Sequence, residues 1–572
     1  MAPAGRQCRC RSARAGVRGG DLPQRHTRSG FGDRAAGARG QAVGDAAGGH
    51  RRLRRRRGDR RIWSDYPCDA GSSAARPGLA QAAVRSTARR RAVVKLLARL
   101  AWPASLAAGL AACAVGPDYK APPPPKDATA PLVSPDSPVA TAAEAPDAWW
   151  RLYEDTRLDA LVQEAFAANA DLKVAQANLT GARAIYLAAR SARLPSTNLA
   201  LGVNYGRDAG TDEILELTGR RPVTLWIYDA LIDVNYEVDL FGHVRYSIEA
   251  AGAGSEVSEA QRDAVRVTVA AETARAYAQI CAVGEQLAVA RRSLDLVSRE
   301  SDITARRRAA GAGSEFDVVR AETVVEQVRA TIAPLEGQRR AAQYELAAML
   351  GRTPADPPAG VEACDTVPRL KSLLPAGDGA ALLRRRPDIR AADRRLAAAV
   401  AQIGVTTSDL YPRFSLSALY GSIATPWPKV DTVDGLTWGI SPSINWTFPV
   451  QTGLRARVMQ AKAGAAAALA GFDSVVLTAL KETAQALSSY GAETEHHAVL
   501  TAAQSKARRS FELAHGQFVA GAVSNLDLLT SEQSLVAADA AVAASDMAMV
   551  QYQIAVFKAL GGGWRGGDAA VR

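Results

Sequence analysis

Four short segments of the chain alternate apolar and polar residues, the pattern of β-strands that have a different environment on each face. The first pair occupies about residues 195–206 and 225–238, and the second pair about 412–421 and 437–449. Each segment approaches the length of 9–11 residues that a tilted strand needs to cross a membrane, and Trp and Tyr collect near the segment ends. The pattern therefore predicts transmembrane strands, although alternation alone also fits a small sheet packed on helices in a soluble protein.

Long stretches with helical periodicity and high alanine content separate the strand pairs. No proline occurs between His243 and Arg308, so a single helix there would be about 100 Å long. Apolar positions such as Leu287, Leu294 and Val297 recur at helical spacing, and alanine allows such helices to approach closely. Side by side, these helices would form either a coiled-coil scaffold or the wall of a tube. Their connection to membrane strands favours the tube.

The chain contains a long internal duplication. The segment RAAGAGSEFDVVRAE from Arg308 matches FVAGAVSNLDLLTSE from Phe518 at an offset of 210 residues, and upstream of the strands the offset is 217. We therefore divide this part of the chain into a first repeat at 149–351, a linker at 352–377, and a second repeat with a C-terminal segment at 378–572. Each repeat has two strands and long helices.

Four strands are too few to close a barrel, because the smallest transmembrane barrels have about eight strands. Several chains would have to combine, and eight strands from a dimer or twelve from a trimer both give an even number. The residue pattern does not choose between these assemblies. The sequence thus predicts a mixed α+β membrane protein with a long α-helical part and four transmembrane strands per chain.

Basic charge is confined to the N-terminal part of the chain. The whole chain has a net charge of +12, but residues 1–112 hold 24 of its 70 Lys and Arg side chains and only 6 of its 58 Asp and Glu side chains. The remainder is therefore acidic, and we expect no nucleic-acid partner. Residues 1–83 show no apolar periodicity. A nucleic-acid-binding arm is one interpretation, and we favour a start codon assigned too far upstream, with Val84 or Val93 as the true start.

Residues 84–112 have the features of a bacterial lipoprotein signal peptide. Three arginines precede an apolar run and a group of small residues. The sequence Leu-Ala-Ala-Cys that ends at Cys113 resembles a lipobox, in which the cysteine thiol receives diacylglycerol; a plain signal peptide with a chance cysteine is the alternative. Ala114 stands where an aspartate would retain a lipoprotein at the inner membrane, so the resemblance implies sorting to the outer membrane. Residues 113–148 would then be a lipid-anchored, proline-rich and extended tether.

Enzyme and metal chemistry find little support in the sequence. His496 and His497 are adjacent in a polar helical stretch, where neighbouring side chains point about 100° apart, so we interpret them as surface residues. No phosphate-binding loop or nucleophile elbow occurs. Cys281 and Cys364 do not have the spacing of a metal site, and whether they pair stays open. We expect no catalytic residue, no metal and no cofactor other than the covalent lipid.

Each repeat contains a turn with glycine followed by the pattern S-x-x-D. This pattern resembles a capping box, in which serine occupies the N-cap and the acid lies near the positive end of the following helix. The residues concerned are Gly311, Gly313, Ser314 and Asp317 in the first turn and Gly521, Ser524 and Asp527 in the second. Hairpin stability explains these residues, and two equivalent hairpins at one end of a cylinder would also form its mouth.

Five segments together resemble the outer membrane factor family, the TolC-like exit ducts of tripartite efflux and secretion systems, and within it the lipoprotein branch labelled NodT. The segments are CAVGPDYKAP, WWRLYEDTRLDALVQEAFAANADL, AGAGSEFDVVRAE, RRRPDIRAADRRLAAA and VFKALGGGW. Each segment is a weak signal alone, but the five occur in order within a duplicated chain.

The resemblance implies a lipid-anchored homotrimer in the outer membrane, with a twelve-stranded barrel continued by a twelve-helix periplasmic tunnel. It implies that this tunnel has an equatorial belt, to which the equatorial linker at 352–377 would contribute. It also implies that the narrow periplasmic tip engages a periplasmic adaptor coupled to an inner-membrane pump of RND type. The adaptor contacts expected from the matching turns are Gly311, Gly313, Ser314, Gly521, Ser524 and Asn525. Asp317 and Asp527 are expected to cap helices or to bias cation passage at the aperture.

The function expected from this resemblance is that of a passive exit duct for drugs or other small molecules, with energy supplied by the pump. A duct for type I protein secretion and a non-conducting structural scaffold are the alternatives.

Overall fold

The computed structural model describes residues 115–564, apart from 135–136, 208–212, 214–215, 220, 222–223 and 426–431. The leader, the signal peptide and Cys113 therefore lie outside the described residues. The helices are α1 (Thr156–Ala168), α2 (Ala170–Ser191), α3 (His243–Ala309), α4 (Glu315–Met349), α5 (Gly379–Arg385), α6 (Pro387–Ser408), α7 (Thr452–Val519) and α8 (Asn525–Ala559). The strands are β1 (Ala140–Thr141), β2 (Ser196–Gly206), β3 (Leu225–Val238), β4 (Leu374–Pro375), β5 (Arg413–Ala424) and β6 (Leu436–Asn445).

The two halves of the chain repeat the same order of elements. Helices α2 and α6 have 22 residues each, and α4 and α8 have 35 residues each. The long helices α3 and α7 have 67 and 68 residues, which corresponds to about 100 Å each. Each half thus contributes a short helix, a strand pair, a long helix and a returning helix.

The equivalent elements form two layers. Helices α2, α3, α6 and α7 lie side by side in that order, and α4 and α8 return along α3 and α7. Strands β2, β3, β5 and β6 form one antiparallel sheet, also in that order. The outer elements of each layer therefore have a neighbour on one side only.

Two of the strand boundaries differ from the sequence-based expectation. Strand β5 continues to Ala424, beyond the expected end near 421, because its pairing with β3 continues to the Tyr228↔Ala424 pair. Strand β6 ends at Asn445, before the expected end at 449. After Asn445 the side chains turn to other partners: the Trp446 Nε1–H donates to the Leu410 carbonyl at 3.1 Å. The apolar–polar alternation continues there without strand pairing.

The main core lies about halfway along α3 and α7, where the segment around Trp149 and the C-terminal part of α8 pack against α1, α3 and α4. The Trp149 ring stacks on the Phe557 ring at 4.9 Å, and both side chains are fully buried. A disulfide joins Cys281 in α3 to Cys364 in the linker, across 83 residues of sequence, and so settles a pairing that the sequence left open. Closing a loop of this size removes about 4–5 kcal/mol of chain entropy from the unfolded state.

The proline-rich segment before Trp149 packs along the helices and is not a free tether. The Val115 N–H donates to the Phe241 carbonyl, directly after β3, at 3.4 Å. Further along, the Tyr119 hydroxyl donates to the Asp393 carboxylate in α6, and β1 pairs with β4 in parallel. The extended conformation that the prolines favour is therefore held by tertiary contacts.

Candidate functional site

The four-stranded sheet has one exposed apolar face. Leu201 in β2 is 73 % exposed and Trp438 in β6 is 70 % exposed. The register aligns the apolar residues of all four strands on the same side, as in the Leu199↔Ile232 and Ile232↔Tyr420 pairs. A face of this kind requires a cover of lipid or protein.

The opposite face of the sheet is polar and internally hydrogen-bonded. The Asn198 Nδ2–H donates to Asp233 Oδ1 at 3.1 Å, and the Ser417 hydroxyl donates to Asn235 Oδ1 at 2.7 Å. The Asn235 Nδ2–H in turn donates to Asp233 Oδ2 at 3.1 Å. These contacts cross three strands. The sheet therefore separates an apolar surface from an acidic, polar surface.

The outer helices of the helical layer also expose apolar side chains. Ile185 in α2 is 66 % exposed and Met459 in α7 is 67 % exposed. Helices α7 and α8 each contain an 18-residue window of predominantly apolar residues. By length and composition both could cross a membrane, but α7 begins where β6 has ended and extends far beyond it. Packing against further helices explains this composition without a second membrane crossing.

The two helical hairpins end in the same Schellman turn. Gly311 has a φ of 77°, its N–H donates to the Arg308 carbonyl at 2.9 Å, and the Ala312 N–H donates to the Arg307 carbonyl at 2.8 Å. Gly521 has a φ of 74° and makes the equivalent bond to the Phe518 carbonyl. Glycine is required at these two positions because other residues rarely adopt positive φ.

Each turn is followed by a complete capping box. The Asp317 N–H donates to Ser314 Oγ at 3.2 Å, and the Ser314 backbone N–H and hydroxyl both donate to Asp317 Oδ2, at 3.3 and 2.7 Å. Ser524 and Asp527 repeat this geometry with corresponding distances of 3.2, 3.1 and 2.6 Å. The serine hydrogen bonds lower the pKa of both carboxyl groups. Both acids therefore have a helix-capping role.

The remaining turn residues have separate roles. Gly313 has an ordinary φ, but a Cβ there would lie 3.3 Å from the Arg308 nitrogen, so the turn is tight at this point. Asn525 links the two hairpins, because its Oδ1 accepts a hydrogen bond from the Thr304 hydroxyl at 3.3 Å. The Arg307 guanidinium lies 4.2 Å above the Phe518 ring and adds a second link. The sequence pattern indicated neither link, since the partners are more than 200 residues apart.

A buried pair of carboxyl groups lies close to these turns. The sequence pattern did not indicate this pair either. Glu532 in α8 is 1 % exposed, and burial together with the nearby Glu300 raises its pKa to about 7. Burial also raises the pKa of Glu300, and His515 Nε2 lies 3.4 Å from Glu300 Oε1. One oxygen of each carboxyl group has no hydrogen-bond partner. The repeat equivalent of Glu532 is Glu322, which is exposed.

Within the described residues, no group of three or more His, Cys, Asp or Glu side chains could hold a metal ion. His497 Nε2 contacts Asp546 Oδ1 at 3.1 Å, and His496 contacts Glu493 on the same helix at 3.3 Å. The two histidines therefore have different partners and do not converge on one point.

Comparison with known proteins identifies the family. A family model described as outer membrane efflux protein matches residues 161–352 and 380–562, one match in each half of the duplication. The chain belongs to the outer membrane efflux protein family. This is a family of efflux proteins and not of enzymes. The resemblance drawn from the five sequence segments is confirmed.

Curated relatives of this efflux protein match along most of their length. OprJ of Pseudomonas aeruginosa is 30% identical over 487 residues, which are 82% of this chain and 96% of OprJ. The pyoverdine export outer membrane protein OpmQ of Pseudomonas putida is 29% identical and covers 78% of this chain and 94% of its own. Nodulation protein T of Rhizobium leguminosarum is 27% identical, with coverages of 80% and 92%. This efflux protein therefore functions in the outer membrane.

Solved structures of outer-membrane channels have the same fold. The channel OprN is 33% identical with a TM-score of 0.73, and the match covers 79% of this chain and 100% of the OprN chain. The open state of the Neisseria gonorrhoeae MtrE channel is 27% identical with a TM-score of 0.69, covering 79% and 99%. The predicted fold class, long periplasmic helices joined to membrane strands, is confirmed.

Proposed function

We propose that this outer membrane efflux protein is the passive exit duct of a tripartite pump and carries small organic molecules from a periplasmic adaptor to the exterior. The proposal rests on the continuity between the four-stranded sheet and the helical layer. A sheet with an apolar and a polar face leads directly into a layer of helices about 100 Å long. Its relatives include proteins named for antibiotic efflux, toluene efflux and pyoverdine export. These names favour small molecules over secreted proteins as cargo.

Closure of the duct requires further copies of the chain. Strands β2 and β6 are the unpaired edges of the sheet, and α2 and α7 are the outer members of the helical layer. A neighbouring copy would pair its β2 with β6 and cover the exposed apolar residues of α7 with its α2. Three copies would give twelve strands and a water-filled lumen lined by the polar sheet face, whereas two copies would give eight strands and a much narrower interior.

The lipid anchor fits the position of the N-terminal segment. Val115 is hydrogen-bonded to Phe241, three residues after the end of β3, and Cys113, two residues earlier in the chain, would lie within about 7 Å of Val115. A diacylglyceryl group on this cysteine could then enter the periplasmic leaflet of the outer membrane. In the same orientation the two helical turns lie at the far end of the helices. We infer that Gly311, Ser314, Gly521 and Ser524 would then be available to a periplasmic adaptor coupled to an RND-type pump.

Planar-bilayer conductance tests the duct against a structural scaffold. The purified protein should conduct ions, and its conductance should increase when glycines at the turns are replaced so that the hairpins separate.

Native mass spectrometry of the same preparation should show three chains, each beginning at Cys113 with a diacylglyceryl mass. A closed, non-conducting assembly that stays silent even after the turns are disrupted would exclude the duct, and a stable dimer would exclude twelve-strand closure.

A further inference from the structure

A cleft of about 560 Å³ opens between α2, α3, α6 and the N-terminal segment. Small residues form its base on α3 and α6, and the Tyr186 ring lies against Gly252, where a Cβ would be 3.3 Å from the ring. Pro117 and Tyr119 of the N-terminal segment form one wall. The cleft is thus on the side of the helical layer along which the N-terminal segment packs.

Two arginines in this cleft have no carboxylate partner. Among the described residues, neither Arg190 nor Arg193 forms a salt bridge, whereas Arg183 on the same helix contacts Glu259 at 3.6 Å. Arg190 is in the last turn of α2, where a cation is also stabilised by the helix dipole. Arg193 lies beyond the helix end, so the dipole explains less of its position. Both side chains are exposed.

The carboxylates that line the cleft are already neutralised. Glu249 accepts a hydrogen bond from Arg245 at 2.9 Å, and Glu256 contacts Arg394 at 3.2 Å. The Arg394 guanidinium also lies 5.4 Å above the Tyr119 ring. The charge left uncompensated in the cleft is therefore positive and comes from Arg190 and Arg193.

The position of these arginines relative to the membrane follows from strand β2, which comes after them in the chain. Strand β2 begins at Ser196, so Arg193 is within about 10 Å of the membrane-facing sheet. Leu194, between Arg193 and the strand, is 68 % exposed, and it continues into the exposed apolar residues of β2, such as Leu199. A basic pair is thus followed at once by an apolar surface, the order of groups that an anionic phospholipid requires.

We propose that this cleft binds the phosphate of an anionic phospholipid from the periplasmic leaflet, between Arg190 and Arg193, with the acyl chains along the apolar face of β2. Guanidinium groups suit this role because they donate two hydrogen bonds to a phosphate group. The inference rests on the proposed orientation in the outer membrane and adds a lipid partner to it. The bound lipid would fix the height of the helical layer beneath the bilayer next to the covalent anchor.

Lipid retention by the full-length protein tests this site. The protein is reconstituted in nanodiscs of equal parts phosphatidylglycerol and phosphatidylcholine, transferred to detergent, and its retained lipid is measured by native mass spectrometry. We expect wild type to retain phosphatidylglycerol and Arg190→Gln/Arg193→Gln to retain about tenfold less. Arg329→Gln, which removes an exposed arginine in the first half of α4, should match wild type. Equal retention by the double variant and wild type, or no preference for phosphatidylglycerol in wild type, would overturn the proposal.

Two further measurements distinguish a failure of the lipid site from a failure of the proposed duct function. Inorganic phosphate should not displace the retained lipid at millimolar concentration; displacement would indicate a simple anion site and would overturn the lipid assignment. Conductance of the double variant should equal that of wild type, because neither arginine lies on the polar sheet face. If the double variant fails to assemble, Arg190→Lys/Arg193→Lys keeps the charge and should retain the lipid; its failure to do so in an assembled protein would contradict the site.

Discussion

Single residues near the helical turns combine a structural and an electrostatic role. Gly311 and Gly521 permit the turns, and the serine–aspartate pairs start the returning helices. About two turns of helix further on, Glu532 is enclosed by α3, α7 and α8 together with Glu300 and His515. A buried carboxyl group prefers its neutral form, and a second carboxyl group beside it strengthens this preference. Packing of α8 against α3 should therefore depend on pH.

The sign of this dependence follows from the raised pKa of Glu532. In the unfolded chain its carboxyl group ionises near the ordinary value of 4.5, and in the folded protein near 7. The neutral carboxyl group therefore contributes up to about 3 kcal/mol to the free energy of unfolding. This contribution is complete below pH 4.5, decreases as the pH rises to about 7, and is lost above pH 7. Hydrogen exchange of the α8 amides, corrected for intrinsic rates, should show protection falling between pH 5 and pH 8. Glu532→Gln should reduce the fall, because only Glu300 then titrates there, and Glu322→Gln should leave it unchanged; a flat wild-type profile would contradict the assignment.

At the scale of elements, the linker between the repeats is attached to α3 by a covalent bond and by a close backbone contact. The disulfide at Cys281 is followed one turn later by Gly284, where a Cβ would lie 2.2 Å from the Cys364 carbonyl oxygen. Helix interiors disfavour glycine by about 1 kcal/mol relative to alanine. Glycine at this helix position is therefore explained by the linker that crosses it.

Gly284→Ala should destabilise the protein even though alanine is the better helix former. The linker would have to move away from α3, and this displacement would weaken the packing around the disulfide by an expected 1–3 kcal/mol, within the usual range for overpacking. Gly254→Ala on the same helix is the matched control, since a Cβ there meets nothing within 4 Å. Thermal unfolding in detergent should show a lower Tm for the first variant and an equal or higher Tm for the second. Equal Tm values for the two variants would show that the linker can move away from α3 without destabilising the protein.

At the scale of the whole molecule, the two turns are at the end of the helices remote from the membrane strands. The proposal of an adaptor at this end is tested by a photo-crosslinking amino acid at Ser524 in the native host. We expect capture of a periplasmic adaptor encoded beside an efflux pump, whereas the same amino acid at Glu495, exposed midway along α7, should capture much less of it. Capture of a secretion adaptor would assign protein cargo, and capture of no periplasmic partner would contradict docking at the turns.

The sequence by itself determined the features that depend on neighbours along the chain. Strand alternation, helical periodicity, the duplication and the S-x-x-D caps are each encoded within a few residues or in direct self-similarity, so the layers, repeats and turns could be read before the structure was known. The family resemblance added the outer-membrane efflux role.

Only the tertiary structure decided which distant groups meet. The Cys281–Cys364 disulfide, the Thr304–Asn525 link, the docking of the proline-rich segment and the Glu300–Glu532 pair all join residues far apart in sequence. Glu322 and Glu532 occupy equivalent repeat positions, yet one is exposed and the other buried. Burial is set by how the helices of the two halves pack together, and a local pattern that occurs twice carries no information about that difference.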